Sequence, residues 1–368
     1  MSLKQLDIYN VRNIHKQSIT PSSQFNFIYG KNASGKSAII EAIFLLGRAK
    51  SFRTPSIKSV VTFNKQYLTV SGEVADENIH SIHMGIQMDG KITEMRINHQ
   101  PNNNRAKLAF NLPLQIIHPK SFELLDAGSQ VRREFVDWGV FNQDENFLAI
   151  WRKYKRALMQ RNTLLKLKEI DQITSWNHEL ASYGTQVNEL RFNYLNKLKP
   201  FLISIIKKFL KYDSVDFNLL SGWKMEDSLL QNLNDDLDKD LRYGYTHSGP
   251  HRGDFQILID KILAKDLLSR GQLKLLVICL KLAQVELILN ERDAFGSILI
   301  DDFAAELDKD NRAMILRYLN GIKCQVFLTT TEMDDFGDLE YLENYKLFHV
   351  EHGKLRWVNV PHGTAVMT

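Results

Sequence analysis

The sequence predicts an α/β fold: a mixed parallel sheet plus an antiparallel β layer, with an inserted helical subdomain. Three observations predict it. Strand-like and helix-like hydrophobic periods alternate at both ends of the chain, which implies parallel pairing. A Gly-rich phosphate-loop pattern joins one of those strands to the helix after it. Residues 121–211 carry helical periodicity, with Gly and Pro scarce.

In chain order, Leu3, Ile8 and Val11 alternate as a strand does, and Phe25-Asn26-Phe27-Ile28-Tyr29 runs as a second strand into Gly30. Residues 36–47 form a helix with Ile39, Ile40, Ile43, Phe44 and Leu46 on its buried side and Gly47 as its stop. Over 66–98 the period becomes two, with Asp89-Gly90 as a hairpin turn, giving the antiparallel layer. Three or more helices fill 121–211. A strand at 215–220, a helix at 225–241, a loop rich in Gly and His, and a strand at 254–259 return the chain to its first architecture. Helix 272–290, strand 297–300, helix 309–319, strand 325–328 and a last strand at 346–350 complete it. The expected organisation is a head of residues 1–120 and 213–368 interrupted by a helical subdomain at 121–212.

The chain has 368 residues, about two domains at roughly 150 each. Its 44% apolar and 24% charged residues are those of an ordinary globular protein. No run reaches the ~18 apolar residues of a membrane span, since Lys207 and Lys208 interrupt the most apolar helical stretch. Met1-Ser2-Leu3-Lys4 opens no apolar signal core. Cys279 and Cys324 sit in apolar segments, so no disulfide scaffold is expected. A reducing, cytoplasmic setting without a membrane partner is the expectation. The net charge of +4 tolerates a polyanion without demanding one.

Function therefore has to come from motifs. Gly30-Lys31-Asn32-Ala33-Ser34-Gly35-Lys36-Ser37 fits the phosphate-loop pattern in full, between a strand and a helix. Its amides and the helix N-terminus suit α/β phosphates. Lys36 reaches the β/γ oxygens as a point charge, and the Ser37 hydroxyl can ligate Mg²⁺. Ser297-Ile298-Leu299-Ile300-Asp301-Asp302 is an apolar strand ending in two carboxylates, placed where open α/β sheets bind ligands. Asp301 suits the metal, and Asp302 suits the attacking water. Two adjacent carboxylates repel unless a cation neutralises them. Leu268-Ser269-Arg270-Gly271-Gln272 precedes a long apolar helix. Ser269 and Gln272 form a capping box that any helix could use, and the same turn offers a second anion site.

Together these runs resemble the RecF family of ABC-type DNA-repair ATPases, which is related to the heads of SMC and Rad50 proteins. Gly47-Arg48-Ala49-Lys50-Ser51-Phe52-Arg53-Thr54, Arg132-Arg133-Glu134-Phe135-Val136-Asp137-Trp138 and Thr246-His247-Ser248-Gly249-Pro250-His251-Arg252-Gly253-Asp254 add to the likeness, as does Asp301 to Asp308. The resemblance implies an ABC-type P-loop ATPase head that takes ATP and Mg²⁺. It implies weak, DNA-stimulated hydrolysis and a homodimer in the ATP-bound state. Ser269, Arg270, Gly271 and Gln272 of one copy would contact the nucleotide of the other. Asp308 would lie in the interface segment, with Lys36 and Asp302 as the catalytic pair. Duplex, gapped or junction DNA and the recombination mediators RecR and RecO are the implied partners. This chain departs from the wider pattern in having Asp302 where Glu is usual, which implies slow turnover. Thr330 or Thr331 stands in for the switch histidine, and either Gln115 or His118 occupies the Q-loop position.

The helical block is too short for a long coiled coil. Arg152, Lys153, Lys155, Arg156, Arg161, Lys166 and Lys168 face a single acid there, Glu169. A solvated basic face explains such a run in most proteins; with the family in view, Lys153 and Arg156 become phosphate-backbone contacts. Arg48 to Arg53 is a second basic stretch. The competing readings are a P-loop metabolite kinase with a helical lid and the ATPase subunit of a transporter.

Overall fold

The computed structural model describes residues 1–75, 81–292, 296–305 and 307–358. They divide into two compact units, Met1–Ser121 with the described residues from Ile288 onward, and Phe122–Leu287. Among the described residues no helix is long and apolar enough to cross a membrane.

The first unit contains two six-stranded sheets among the described residues. One is antiparallel, in the order Ile14–Ile19, Ser2–Val11, Leu68–Ala75, Ser81–Met88, Thr93–Ile97, Gln100–Pro101. Its Asp89-Gly90 turn forms as expected, with the Asp89 carboxylate accepting from the amides of Lys91 and Ile92 at 2.7 Å each. The other sheet runs Lys354–Val358, Tyr345–Glu351, Phe25–Tyr29, Gln325–Thr330, Ser297–Ile300, Leu114–Ile117. All its neighbours are parallel except the Lys354–Val358 hairpin edge. Helix Lys36–Arg48 is buried at every residue but Ser37 and Arg48, because it shares a core with both sheets: Leu6, Ile8, Val70 and Ile86 on one side, Leu299, Phe327 and Phe348 on the other. Burial all round is what an apolar helix without a polar face requires. Strand Leu114–Ile117, strand Lys354–Val358 and helix Arg105–Asn111 have no counterpart in the sequence reading.

The second unit is built on the helices Phe147–Leu167 and Ile170–Phe209, packed side by side, with Ser129–Gln143 against the second. Gly139 allows the close approach. A Cβ there would stand 2.0 Å from the Tyr194 ring, whose hydroxyl accepts from Gln284 at 2.8 Å. The helical insertion expected at 121–212 does not stop there. Strand Val215–Leu220 pairs with Asp254–Ile259 and packs on Ile170–Phe209, so the unit continues to Leu287. The single helix expected at 225–241 is two, Leu229–Asp235 and Leu237–Tyr243. Asp236 breaks it, its carboxylate turned to accept from the Ser248 hydroxyl at 2.6 Å.

The interior of this unit is polar where the Gly- and His-containing loop enters. Arg161, wholly buried, donates to Asp240 at 2.6 Å, Asn177 at 2.6 Å, Thr246 at 2.8 Å and the Leu233 carbonyl at 3.1 Å. Burial pushes His251 down to about 4, which keeps its ring neutral. Its Nε2 donates to the Thr246 carbonyl at 3.1 Å, leaving Nδ1 to accept from the Tyr154 hydroxyl at 2.5 Å.

Candidate functional site

Four adjacent parallel strands end in Gly30, Thr329-Thr330, Asp301 and His118 along one edge of their sheet. Ligands of open α/β sheets bind outside such carboxyl ends. A cavity of about 390 Å³ opens there, within the first unit, lined by the loop from Asn32 to Ser37 together with Arg12, Phe52, His118, Asp301 and Asp302.

The loop is held from behind. Asn13 donates to the carbonyls of Ala33 and Ser34 at 3.1 Å each, and the Gly353 amide donates to the Ser34 carbonyl at 2.7 Å. Gly30 has φ 152, and a Cβ there would stand 2.3 Å from the Val350 carbonyl oxygen. Glycine is therefore required on steric grounds. The Lys36 ammonium donates to the Gly30 carbonyl at 2.5 Å and the Lys31 carbonyl at 3.0 Å. Burial lowers its pKa below that of an ordinary lysine, against the opposing pull of Asp302 and Asp301. The Ser34 hydroxyl is buried with no hydrogen-bond partner among the described residues. An orphaned buried donor in a glycine-bounded loop before a helix N-terminus fits a phosphate oxygen.

The two carboxylates differ in their surroundings. Asp301 is buried, and one of its oxygens accepts from the Ser37 hydroxyl at 2.9 Å and from the Thr329 hydroxyl at 2.8 Å. Thr329 in turn accepts from the Asp302 amide at 2.9 Å. Asp302 is exposed, in the left-handed region at φ 59, a conformation that costs a non-glycine residue and clusters at functional sites. Arg12 lies beside them, bidentate to the fully buried Glu41 at 2.8 and 2.9 Å. Glu41 also accepts from Ser51, which ties the Phe52-Arg53 segment to the loop helix.

Of the two Q-loop alternatives, His118 lines the cavity, its ring 5.0 Å from Phe52, while Gln115 is buried in its strand. Thr330 turns away to donate to Asp335 at 2.8 Å. Thr329, one position earlier, is the hydroxyl at the cavity, and the sequence reading passed over it, as it did Arg12 and Asn13. No local pattern marks these residues, because their partners are brought by other strands. Asp308 caps helix Lys309–Asn320, accepting from Asn311 at 2.8 Å; Glu306, before it, lies outside the described residues.

In the second unit, Ser269 and Gln272 make the capping box: the Gln272 amide donates to Ser269 Oγ at 3.3 Å and the Ser269 amide to Gln272 Oε1 at 3.0 Å. Ser269, Arg270 and Gly271 are exposed. Lys153 and Arg156 are exposed on helix Phe147–Leu167, with the Lys153 ammonium 5.4 Å above the Tyr183 ring. Arg161 does not belong to that basic face. It lies on the apolar side of the helix, inside the core.

A family model described as RecF/RecN/SMC N terminal domain matches residues 2–356. The chain is 35% identical to the DNA replication and repair protein RecF of Stutzerimonas stutzeri (strain A1501), over 99% of each. A solved structure of the recombination mediator protein RecF with ATP, in the RecFOR pathway, superposes with a TM-score of 0.87 at 28% identity and 97% coverage of both chains. An SMC head bound to the C-winged helix domain of ScpA agrees in fold alone, at 14% identity and a TM-score of 0.57 over 97% of each chain. Matches over nearly the whole length leave the kinase and transporter readings without support. The phosphate loop, the paired acids and these likenesses agree: the chain belongs to the RecF family of DNA replication and repair proteins.

Proposed function

We propose that this chain is an ATP-switched clamp of recombinational repair, working in the cytoplasm. Two copies close on ATP and Mg²⁺ at duplex, gapped or junction DNA, and slow, DNA-stimulated hydrolysis reopens them. The observation that carries the reading is the 2.9 Å contact of Ser37 with Asp301 beside the Lys36 ammonium, at the ends of the parallel strands. This pair of oxygens suits Mg²⁺, which keeps most of its ligands as water and phosphate; bound there, the metal would neutralise charge on the transferring phosphate. The loop amides hold the α/β phosphates, and Lys36 covers the β/γ oxygens. Asp302 orients the attacking water and takes its proton, with its backbone fixed by Thr329.

The exposed turn of Ser269, Arg270 and Gly271, with Gln272 behind it, completes the site of a second copy, and Asp308 lies at that interface. Sedimentation without nucleotide, with ADP and with ATP tests this. Ser269→Arg should bind ATP and stay monomeric. Asp302→Asn should turn over about 100-fold more slowly or worse and accumulate as the ATP-bound dimer. A Ser269→Arg protein that dimerises normally overturns the trans contact.

The RecFOR relative supports RecR and RecO as the mediators recruited. For DNA, the exposed Lys153 and Arg156 supply backbone contacts. Reversing both charges should weaken duplex binding and flatten the salt dependence by about 0.9 per lost phosphate contact. Unchanged affinity and slope would remove this helix from the DNA site.

A further inference from the structure

A buried hydroxyl stands between the two carboxylates of the nucleotide site. The ladder joining strands Ser297–Ile300 and Gln325–Thr330 stops at the pair Ile300 and Leu328. Beyond it the chain turns through Asp302 in the left-handed region, and Thr329 takes over where the ladder ends. Its hydroxyl accepts from the Asp302 amide at 2.9 Å, and its carbonyl accepts from the Phe303 amide at 2.8 Å. The amides on both sides of the Asp302 Cα are therefore fastened to one residue. The Asp302 carbonyl accepts from the Ala305 amide at 3.2 Å, which closes the turn.

Chemistry fixes the direction of these bonds. An amide only donates, so Thr329 Oγ1 accepts from Asp302, and its single proton goes to Asp301 Oδ1 at 2.8 Å. That same Asp301 oxygen accepts from Ser37 at 2.9 Å. One hydroxyl thus joins the acid beside the phosphate loop to the backbone of the acid beside the water. Thr329 is wholly buried, and its place is set from the other face of the strand, where Thr330 donates to Asp335 and Asp335 pairs with Arg312, each at 2.8 Å. A left-handed residue with a side chain persists only where its surroundings over-determine it.

We propose that Thr329 is a positioning residue for hydrolysis: its hydroxyl holds Asp302 in the left-handed conformation and ties it to Asp301. ATP binding and closure of the two copies do not depend on it. The proposal rests on the reading that Asp302 acts on the attacking water. It makes the hydroxyl decisive and the volume secondary. Valine keeps the branched shape of threonine and loses both side-chain bonds, whereas serine keeps both bonds and loses one methyl group. A residue needed for packing alone would rank the two the other way, because only serine leaves a void.

ATP hydrolysis at saturating Mg²⁺ and duplex DNA, sedimentation with ATP, and hydrogen exchange of the nucleotide-free protein test it. Thr329→Val should lower kcat about 100-fold with KM for ATP within about threefold of the parent, and should accumulate as the ATP-bound dimer. Its Asp302 amide should lose at least about tenfold in exchange protection, with neither nucleotide nor metal present. Thr329→Ser should keep both kcat and protection within about threefold. Thr329→Ala should behave as valine does, which leaves the test standing if the valine variant does not fold. Thr329→Val placed on Asp302→Asn should slow hydrolysis by no more than about threefold further, since it acts through Asp302. A valine variant as fast as the parent, beside a slow Asp302→Asn, overturns the positioning role, and so does a serine variant as slow as valine. An Asp302→Asn protein that hydrolyses ATP at the parental rate overturns the catalytic reading of Asp302, and the proposal with it.

Discussion

Lys36→Met should fold normally and fail to bind ATP. The Lys36 ammonium is already drawn over the loop by the carbonyls of Gly30 and Lys31, so no rearrangement is needed to present its charge to a phosphate chain. It is largely shielded from water, where a charge-assisted bond to phosphate is worth more than at a surface. Its loss should cost about 3 kcal/mol of ATP binding, roughly 100-fold or more in affinity. Methionine replaces the aliphatic stem, so the urea midpoint should move by less than about 1 kcal/mol. Calorimetric titration with ATP beside urea unfolding separates the two effects. ATP affinity within tenfold of the parent would show that the loop amides alone hold the nucleotide.

Asp240→Ala should be the most damaging single change in the second unit. Its carboxylate neutralises Arg161 and also binds both the ring and the amide of His247, and neither Asp240 nor Arg161 is exposed. Removing one member of a buried pair leaves an uncompensated charge, at a cost of about 3 to 5 kcal/mol. A second change that removes the charge, Arg161→Met on the same background, should recover part of that loss, since the guanidinium no longer has to be buried alone. Urea unfolding of the single and double variants reads the difference. An Asp240→Ala protein within about 1 kcal/mol of the parent would mean that water reaches Arg161.

Much of the nucleotide site was legible because its parts are contiguous. The run from Gly30 to Ser37 and the strand ending at Asp301-Asp302 each carry their chemistry in adjacent residues, and the alternation of periods already implied that both strands end on one edge. Thr329, Asn13 and Gly353 were hidden for the opposite reason: each matters through a partner far off in sequence, and neither hydropathy nor spacing marks it. Arg161 was legible in principle. Tyr154, Ala157, Leu158, Arg161, Leu164 and Leu165 are all buried at helical spacing, so the register alone puts this arginine on the apolar side. Counting charges along the run concealed it. The break at Asp236 was invisible because the Ser248 hydroxyl that turns its carboxylate lies beyond the second short helix.

The pairing of the phosphate-loop strand also sets an order on synthesis. Strand Phe25–Tyr29 lies between Gln325–Thr330 and Tyr345–Glu351, and the loop after it is fastened by Gly353. A growing polypeptide exposes its nucleotide motif well before the strands that must flank it, Gln325–Thr330 and Tyr345–Glu351, have been made. Contacts this distant in sequence are made late. The phosphate loop of a nascent chain therefore lacks its flanking strands and its fastening until Gly353 has been translated.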